Sequence, residues 1–180
     1  RGDSANTGGP NRSILFGLCH FHAVLMERKL YGPLGYNMKY PFSLGDLRDS
    51  SVCLSNYMEN GAGGKIPWAD LRYIFGEIMY GGHITDNYDR VLCEALLGAY
   101  MRVELLEGNM PLFPGFTTPP GPLNYKGYFE YIDESLDRET PTAYGLHPNA
   151  EVNFMTAQAN SLFEAIGDMS PKGGGGSEGG

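Results

Sequence analysis

Between Ile14 and Met26 lies the longest mainly apolar stretch of the chain, and its apolar residues recur with the period of an α-helix. Ile14, Leu18, Phe21 and Leu25 follow the i, i+4, i+7, i+11 rule, and Phe16, Val24 and Met26 widen the stripe until little of the helix is polar. A helix of this kind, predicted over residues 12–30, has to sit at the centre of a core, since water on any side would meet apolar side chains. At about 2 kcal/mol per large side chain, these seven contribute on the order of 14 kcal/mol of gross burial. Gly32-Pro33 then stops it. The stretch is 13 residues long and carries His20 and His22, against the roughly 20 apolar residues a bilayer span needs. It also lacks a basic leader and a small-residue cleavage site, so a signal peptide is not expected.

The remaining periodicity is helical too. A second helix is predicted over residues 46–58, with Leu47, Leu54 and Met58 on one face and Ser43 or Asp46 as its cap. A third opens at Pro67, where a missing N–H costs nothing. Its stripe is Trp68, Leu71, Phe75 and Ile78, and Gly81-Gly82 offers a left-handed stop. A fourth starts near Thr85-Asp86 and carries Tyr88, Val91, Leu92, Ala95, Leu96 and Ala99. Residues 108–123 are rich in proline and glycine and read as an extended connector. A short aromatic helix with Tyr125, Tyr128, Phe129 and Ile132 follows, and a last helical region covers residues 150–169. No alternating strand pattern of useful length is present, so the expected fold class is all-α: a helical bundle with an extended connector. Both ends, small and polar at the start and glycine-rich at the finish, are expected to be flexible.

At 180 residues with 42% apolar and 12% aromatic side chains, the chain is long and apolar enough for a true core. A formal charge of −8 and a pI near 4.9 set the surface against phosphate backbones and anionic membranes, so neither nucleic acid nor membrane is an expected partner. Cys19, Cys53 and Cys93 are odd in number and sit in apolar helical patterns, which points to buried, reduced thiols.

Three stretches invite a chemical reading. Asn60-Gly61-Ala62-Gly63-Gly64-Lys65-Ile66 suggests a phosphate loop, but Glu59 stands where the first glycine belongs and Ile66 where a magnesium-binding hydroxyl is needed. It also joins two helices rather than a strand and a helix, so an interhelical loop is expected. His20 and His22, two apart on a helix, point about 200° apart and cannot share a metal by themselves. His83 beside Asp86 and Asp89 could bind a divalent cation or share acid–base duty. Against that, Asp86 sits at an N-cap and Asp89 at N3, where both can satisfy free backbone N–H groups. His147-Pro148-Asn149 fits a turn leading into a helix. No catalytic, cofactor-binding or metal-binding residue is assigned.

The stretch Tyr80-Gly81-Gly82-His83-Ile84-Thr85-Asp86-Asn87-Tyr88-Asp89-Arg90 resembles a segment in the helical lid of the sixth AAA+ module of dynein heavy chains. Ile14-Leu15-Phe16-Gly17-Leu18 with Phe21-His22-Ala23-Val24, Tyr31-Gly32-Pro33-Leu34-Gly35-Tyr36-Asn37, Pro67-Trp68 with Leu71-Arg72-Tyr73, and Tyr125-Lys126-Gly127-Tyr128 agree in the same order. Gly145-Leu146-His147-Pro148-Asn149-Ala150-Glu151 is similar to the start of the dynein C-terminal domain. Gly82-His83-Ile84-Thr85-Asp86 and the stretch around Gly32-Pro33 resemble axonemal outer-arm chains more than cytoplasmic dynein.

The resemblance implies an N-terminal tail (residues 1–11), a lid-like helical domain (12–137), the beginning of the C-terminal domain (138–169) and a glycine-rich tail (170–180). It implies a non-catalytic structural element of an ATP-driven microtubule motor, in the cytoskeleton of a cilium or flagellum. No cofactor is expected in this segment, ATP and Mg belonging to other modules of the parent. Expected partners are the neighbouring AAA+ modules and the C-terminal domain of the same heavy chain, with microtubules and intermediate and light chains binding the parent. Gly81, Gly82, Asp86, Asp89, Arg90, Pro67, Trp68, Gly145, His147, Pro148 and Asn149 are the structural motif residues. A free-standing helical module that docks a partner through the aromatic segment 125–131 or the connector segment 111–122 is the alternative.

Overall fold

The computed structural model describes residues 8–60, 65–136 and 140–169. Residues 1–7 and 170–180 of the two expected tails, and Gly61-Ala62-Gly63-Gly64 of the expected interhelical loop, lie outside them. Helix α1 (Gly8–Leu30) starts inside the expected N-terminal tail. Pro10 falls in its first turn, where the N–H it lacks has no helical acceptor. Ile14, Leu18, Phe21, Val24 and Leu25 are fully buried, whereas Phe16 and Met26 are only partly so. The stripe therefore supplies about 10 kcal/mol of gross burial rather than 14.

Much of the rest of the chain packs against α1. Helix α2 (Leu44–Asn60) packs along it through Leu54. Its N-terminus is a capping arrangement in which the Ser43 N–H donates to Asp46 Oδ2 at 2.8 Å. Helix α3 (Trp68–Tyr73) runs on into a π-helical turn (Ile74–Met79), in which the Tyr80 N–H reaches back five residues to the Phe75 carbonyl at 3.0 Å. The wider turn changes which residues face inward. Leu71 and Phe75 are buried as expected, but Ile78 is 54% exposed and Tyr80 is fully buried in its place.

Helix α4 (Asn87–Tyr100) buries Asp89, Cys93, Leu96, Leu97 and Tyr100, while the expected stripe members Tyr88 and Val91 are 83% and 63% exposed. Cys93 is buried, Cys53 half-buried and Cys19 exposed, and all three are free thiols; only Cys93 fits the expected burial.

The connector is not wholly irregular. After the single turn α5 (Glu104–Glu107), strands β1 (Pro111–Phe113) and β2 (Phe116–Thr117) pair antiparallel across Gly115, whose φ is +94°. Stacking of Phe113 on Phe116 at 5.3 Å and the 2.8 Å bonds between Met110 and Thr118 hold this hairpin. Helix α6 (Tyr125–Ser135) follows and buries none of its residues.

A 3-10 turn (Pro141–Tyr144) then returns to α1. The buried Arg28 clamps it: Nη1 donates to the Tyr144 carbonyl at 2.6 Å and Nε to the Gly35 carbonyl at 3.2 Å, with the Tyr36 ring 5.9 Å away. Burial lowers the pKa of this guanidinium, and two carbonyl acceptors compensate part of the lost solvation. Ala143, Tyr144, Leu146 and Ala150 join the same core, so the expected boundary at 137/138 falls within one packed unit that continues to Ala150. Helix α7 (Ala150–Met169) leaves the body after Phe154, which lies 5.3 Å from the Tyr31 ring. Val152, Met155, Leu162, Phe163 and Ile166 on it are exposed. No helix among the described residues is long and apolar enough to cross a membrane.

Candidate functional site: the joint between α3 and α4

The π-turn delivers Tyr80 into the centre of the bundle. Its hydroxyl pairs with His22 Nδ1 at 2.9 Å, its ring meets Phe21 edge-on at 5.2 Å, and Phe42 lies 5.9 Å away. Burial pushes the Tyr80 phenol up and the His22 imidazole down, with Asp46 partly opposing the latter, so the pair is neutral near pH 7.

Gly81–His83 forms a 3-10 turn. Gly81 stands so close to the Gly76 carbonyl oxygen that a Cβ there would collide with it. Gly82 has open space around it. Neither has a positive φ, so the expected left-handed stop does not form; the chain turns by close backbone approach at Gly81 instead.

His83 Nε2 lies 2.7 Å from Asp46 Oδ1 on α2, and its ring packs edge-on against Phe42 at 5.9 Å. Asp86 is the N-cap of α4, accepting from the N–H groups of Tyr88 and Asp89 at 2.9 and 3.0 Å. These bonds to the charged form hold its pKa below the usual carboxylate value. Asn37 Nδ2 also donates to Asp86 at 3.3 Å.

Asp89 is not a cap. It is 3% exposed and accepts from the Asn37 N–H at 3.0 Å and from the Tyr40 hydroxyl at 2.7 Å. The Tyr40 oxygen in turn accepts from the Asp86 N–H at 3.3 Å. Arg90 bridges the two helices, with Nη1 on Glu77 Oε2 at 3.0 Å and Nη2 on the Ile84 carbonyl at 2.7 Å. Beside it, a hydrogen bond with Glu77 raises the pKa of Glu94, and Arg90 opposes that rise.

The three residues that could have formed a cation site are thus drawn apart: His83 to α2, Asp86 to the start of α4, Asp89 to the 36–40 loop. Among the described residues no group of three His, Cys, Asp or Glu side chains could hold a metal. Pro67 is the residue before α3, and Trp68, half-buried, begins it. Gly145 has φ +69° just after the turn that Arg28 clamps. His147 Nδ1 accepts from the Asn149 N–H at 3.1 Å and its carbonyl from the Ala150 N–H at 2.8 Å, so His147, Pro148 and Asn149 form the turn into α7, away from the joint.

Sequence reasoning missed Asn37, Tyr40, Arg28 and the Tyr80–His22 pair. A polar Asn37 amid the aromatics Tyr36, Tyr40 and Phe42 was the available signal for the first two.

His20 lies outside the joint, near the Tyr100 ring in T-shaped contact at 4.7 Å, and its Nε2 is buried without a hydrogen-bond partner among the described residues. Burial lowers its pKa from 6.5 to about 4. A histidine with a depressed folded-state pKa is bound by fewer protons than in the unfolded chain, so stability falls as pH drops from 6.5 towards 4. The loss is expected to be on the order of 2–3 kcal/mol. Thermal melts from pH 7.5 to 4.5 should show it, and His20→Phe should flatten the slope. An unchanged slope would refute the assignment.

The dynein heavy chain AAA lid domain family matches residues 11–150. The chain belongs to that family. The lid match ends where α7 begins, yet the likeness to individual heavy chains is longer. Dynein axonemal heavy chain 17 of Mus musculus is 56% identical over 161 residues, covering 89% of this chain and 4% of that one. The ciliary dynein beta chain of Heliocidaris crassispina is 54% identical over 159 residues, covering 88% and 4%. The flagellar outer-arm dynein beta chain of Chlamydomonas reinhardtii is 47% identical over 170 residues, covering 89% and 4%. The lid described here therefore spans about 4% of the length of the relatives it matches.

Proposed function

We propose that this dynein lid is a force-transmitting joint in the sixth AAA+ module of an axonemal, outer-arm-type heavy chain. It passes conformational strain between neighbouring modules and the C-terminal domain and breaks no bond itself. The observation that carries this reading is the use of the joint's polar side chains. Asp86, Asp89, Arg90 and His83 all engage the fold's own backbone or side chains, in contacts that cap α4, tie it to the π-turn and to the 36–40 loop, and tie the 81–83 turn to α2. An element linked in this way moves as one body, as a lever must.

In this reading ATP and Mg act in other modules, and the parent works with microtubules and with intermediate and light chains in the axoneme of a cilium or flagellum. The exposed apolar residues of α7, beyond the lid match, are the start of the C-terminal domain and pack within it. Calorimetric titration of the chain with MgATP is expected to give no binding heat. A micromolar Kd would contradict the proposal.

A further inference from the structure

The loop that holds Asp89 carries a methionine between its two donors. The Asn37 N–H reaches Asp89 at 3.0 Å and the Tyr40 hydroxyl at 2.7 Å, and Met38 stands between them, 52% exposed. Its sulfur takes part in the tie as well, since the Thr85 hydroxyl donates to Met38 Sδ at 3.3 Å. Thr85 precedes Asp86, the N-cap of α4, so this contact joins the same two segments that Asp89 joins. The other methionines differ. Met101 and Met110 are buried, and Met26, Met58 and Met79 are partly buried against the core. Met155 is exposed but lies on α7, away from the joint. Among the methionines whose side chains are described, Met38 alone combines exposure with a place in the joint's contacts.

We propose that Met38 is a reversible oxidation site that takes hydrogen peroxide as its co-substrate, and that its sulfoxide loosens the 36–40 loop from α4. This goes beyond the lid reading and rests only on the loop's geometry. A thioether sulfur has two lone pairs, and the Thr85 hydroxyl engages one of them. The other attacks the peroxide. An S–O bond forms as the O–O bond breaks, sulfur gives up two electrons, and the displaced hydroxide leaves as water with the proton of the transferred oxygen.

The product is a polar sulfoxide in place of a flexible apolar side chain. Its sulfur is electron-poor and no longer accepts from Thr85, while its oxygen turns to water because the residue is exposed. One contact between the loop and α4 is lost and the Asp89 contacts remain, so the loop opens more often without unfolding the lid. Methionine sulfoxide reductases run the step backwards: two thiols give up two electrons and become a disulfide, and the oxygen leaves as water. That return path makes the site a switch rather than a lesion.

The test treats native full-length heavy chain with graded hydrogen peroxide and follows it by peptide mass spectrometry. Met38 is expected to convert at least about tenfold faster than Met101 and Met110. Amide hydrogen exchange in the peptide spanning 36–40 should then rise about fivefold, and fall back after a methionine sulfoxide reductase with a dithiol. Thr85→Val should give the faster exchange without peroxide, because it removes the same contact. Met38→Leu should start from that raised value and not respond to peroxide at all. Conversion of Met38 no faster than that of Met101 and Met110 would overturn the proposal. So would exchange that oxidation leaves unmoved, a peroxide response that persists in Met38→Leu, or Thr85→Val behaving as wild type.

Discussion

Gly81→Ala is expected to lower the melting temperature by roughly 10 °C, while Gly82→Ala, one residue along, leaves it within a degree or two. The added methyl at Gly81 meets the Gly76 carbonyl oxygen inside the π-turn, and backbone cannot swing away as a side chain can. Relief requires the turn to rewind, which drags Tyr80 from its contacts with His22 and Phe21. Overpacking of this kind, with loss of a buried hydrogen bond, costs on the order of 3–5 kcal/mol. At Gly82 the same methyl meets nothing, so only the small gain from a stiffer unfolded chain remains. Circular dichroism melts of the two variants check this. Equal effects would mean that the close approach does not shape the joint.

Asp89→Ala should be nearly as damaging. It leaves the Tyr40 hydroxyl and the Asn37 N–H without their acceptor, and each orphaned donor costs about 1–3 kcal/mol. Removing a buried charge offsets part of this, so a net loss of about 3 kcal/mol is expected. Asp89→Asn keeps one acceptor oxygen and should fall between the wild type and alanine. Asp86→Ala, which removes the cap of α4 and its contact with Asn37 Nδ2, should cost less than Asp89→Ala. Denaturant titration of the three variants gives the order directly. If Asp86→Ala proved worse than Asp89→Ala, the placement of Asp89 as the tie between α4 and the 36–40 loop would fail.

What the sequence made legible was whatever repeats with the helical period. Ile14, Leu18, Phe21 and Leu25 could be read as a central stripe because nothing interrupts α1. Periodicity failed where geometry departs from 3.6 residues per turn. The π-turn shifts the phase, so Ile78 turns outward and Tyr80 inward, and no residue type announces that shift. It failed again on α4, where the buried face includes an acid. Asp89 is admitted by Asn37 and Tyr40, some 50 positions earlier, and local pattern cannot see such partners. Because both acids sit at favourable cap positions, the sequence alone points to Asp89 as a second cap. The hairpin was invisible for a different reason: strands of three and two residues have no room to alternate. Arg28 resembles an ordinary basic residue in the last turn of a helix. Its role depends on the Tyr144 carbonyl, 116 residues away.

The claim on which the rest depends is that the joint couples motion rather than chemistry. Measuring microtubule gliding and ATP affinity together, in full-length heavy chain carrying Asp89→Ala with Gly82→Ala as control, addresses it most directly. Gliding velocity is expected to drop by about fivefold or more in the first variant only, with ATP affinity unchanged. Normal gliding by Asp89→Ala, or a matching loss of ATP affinity, would contradict it.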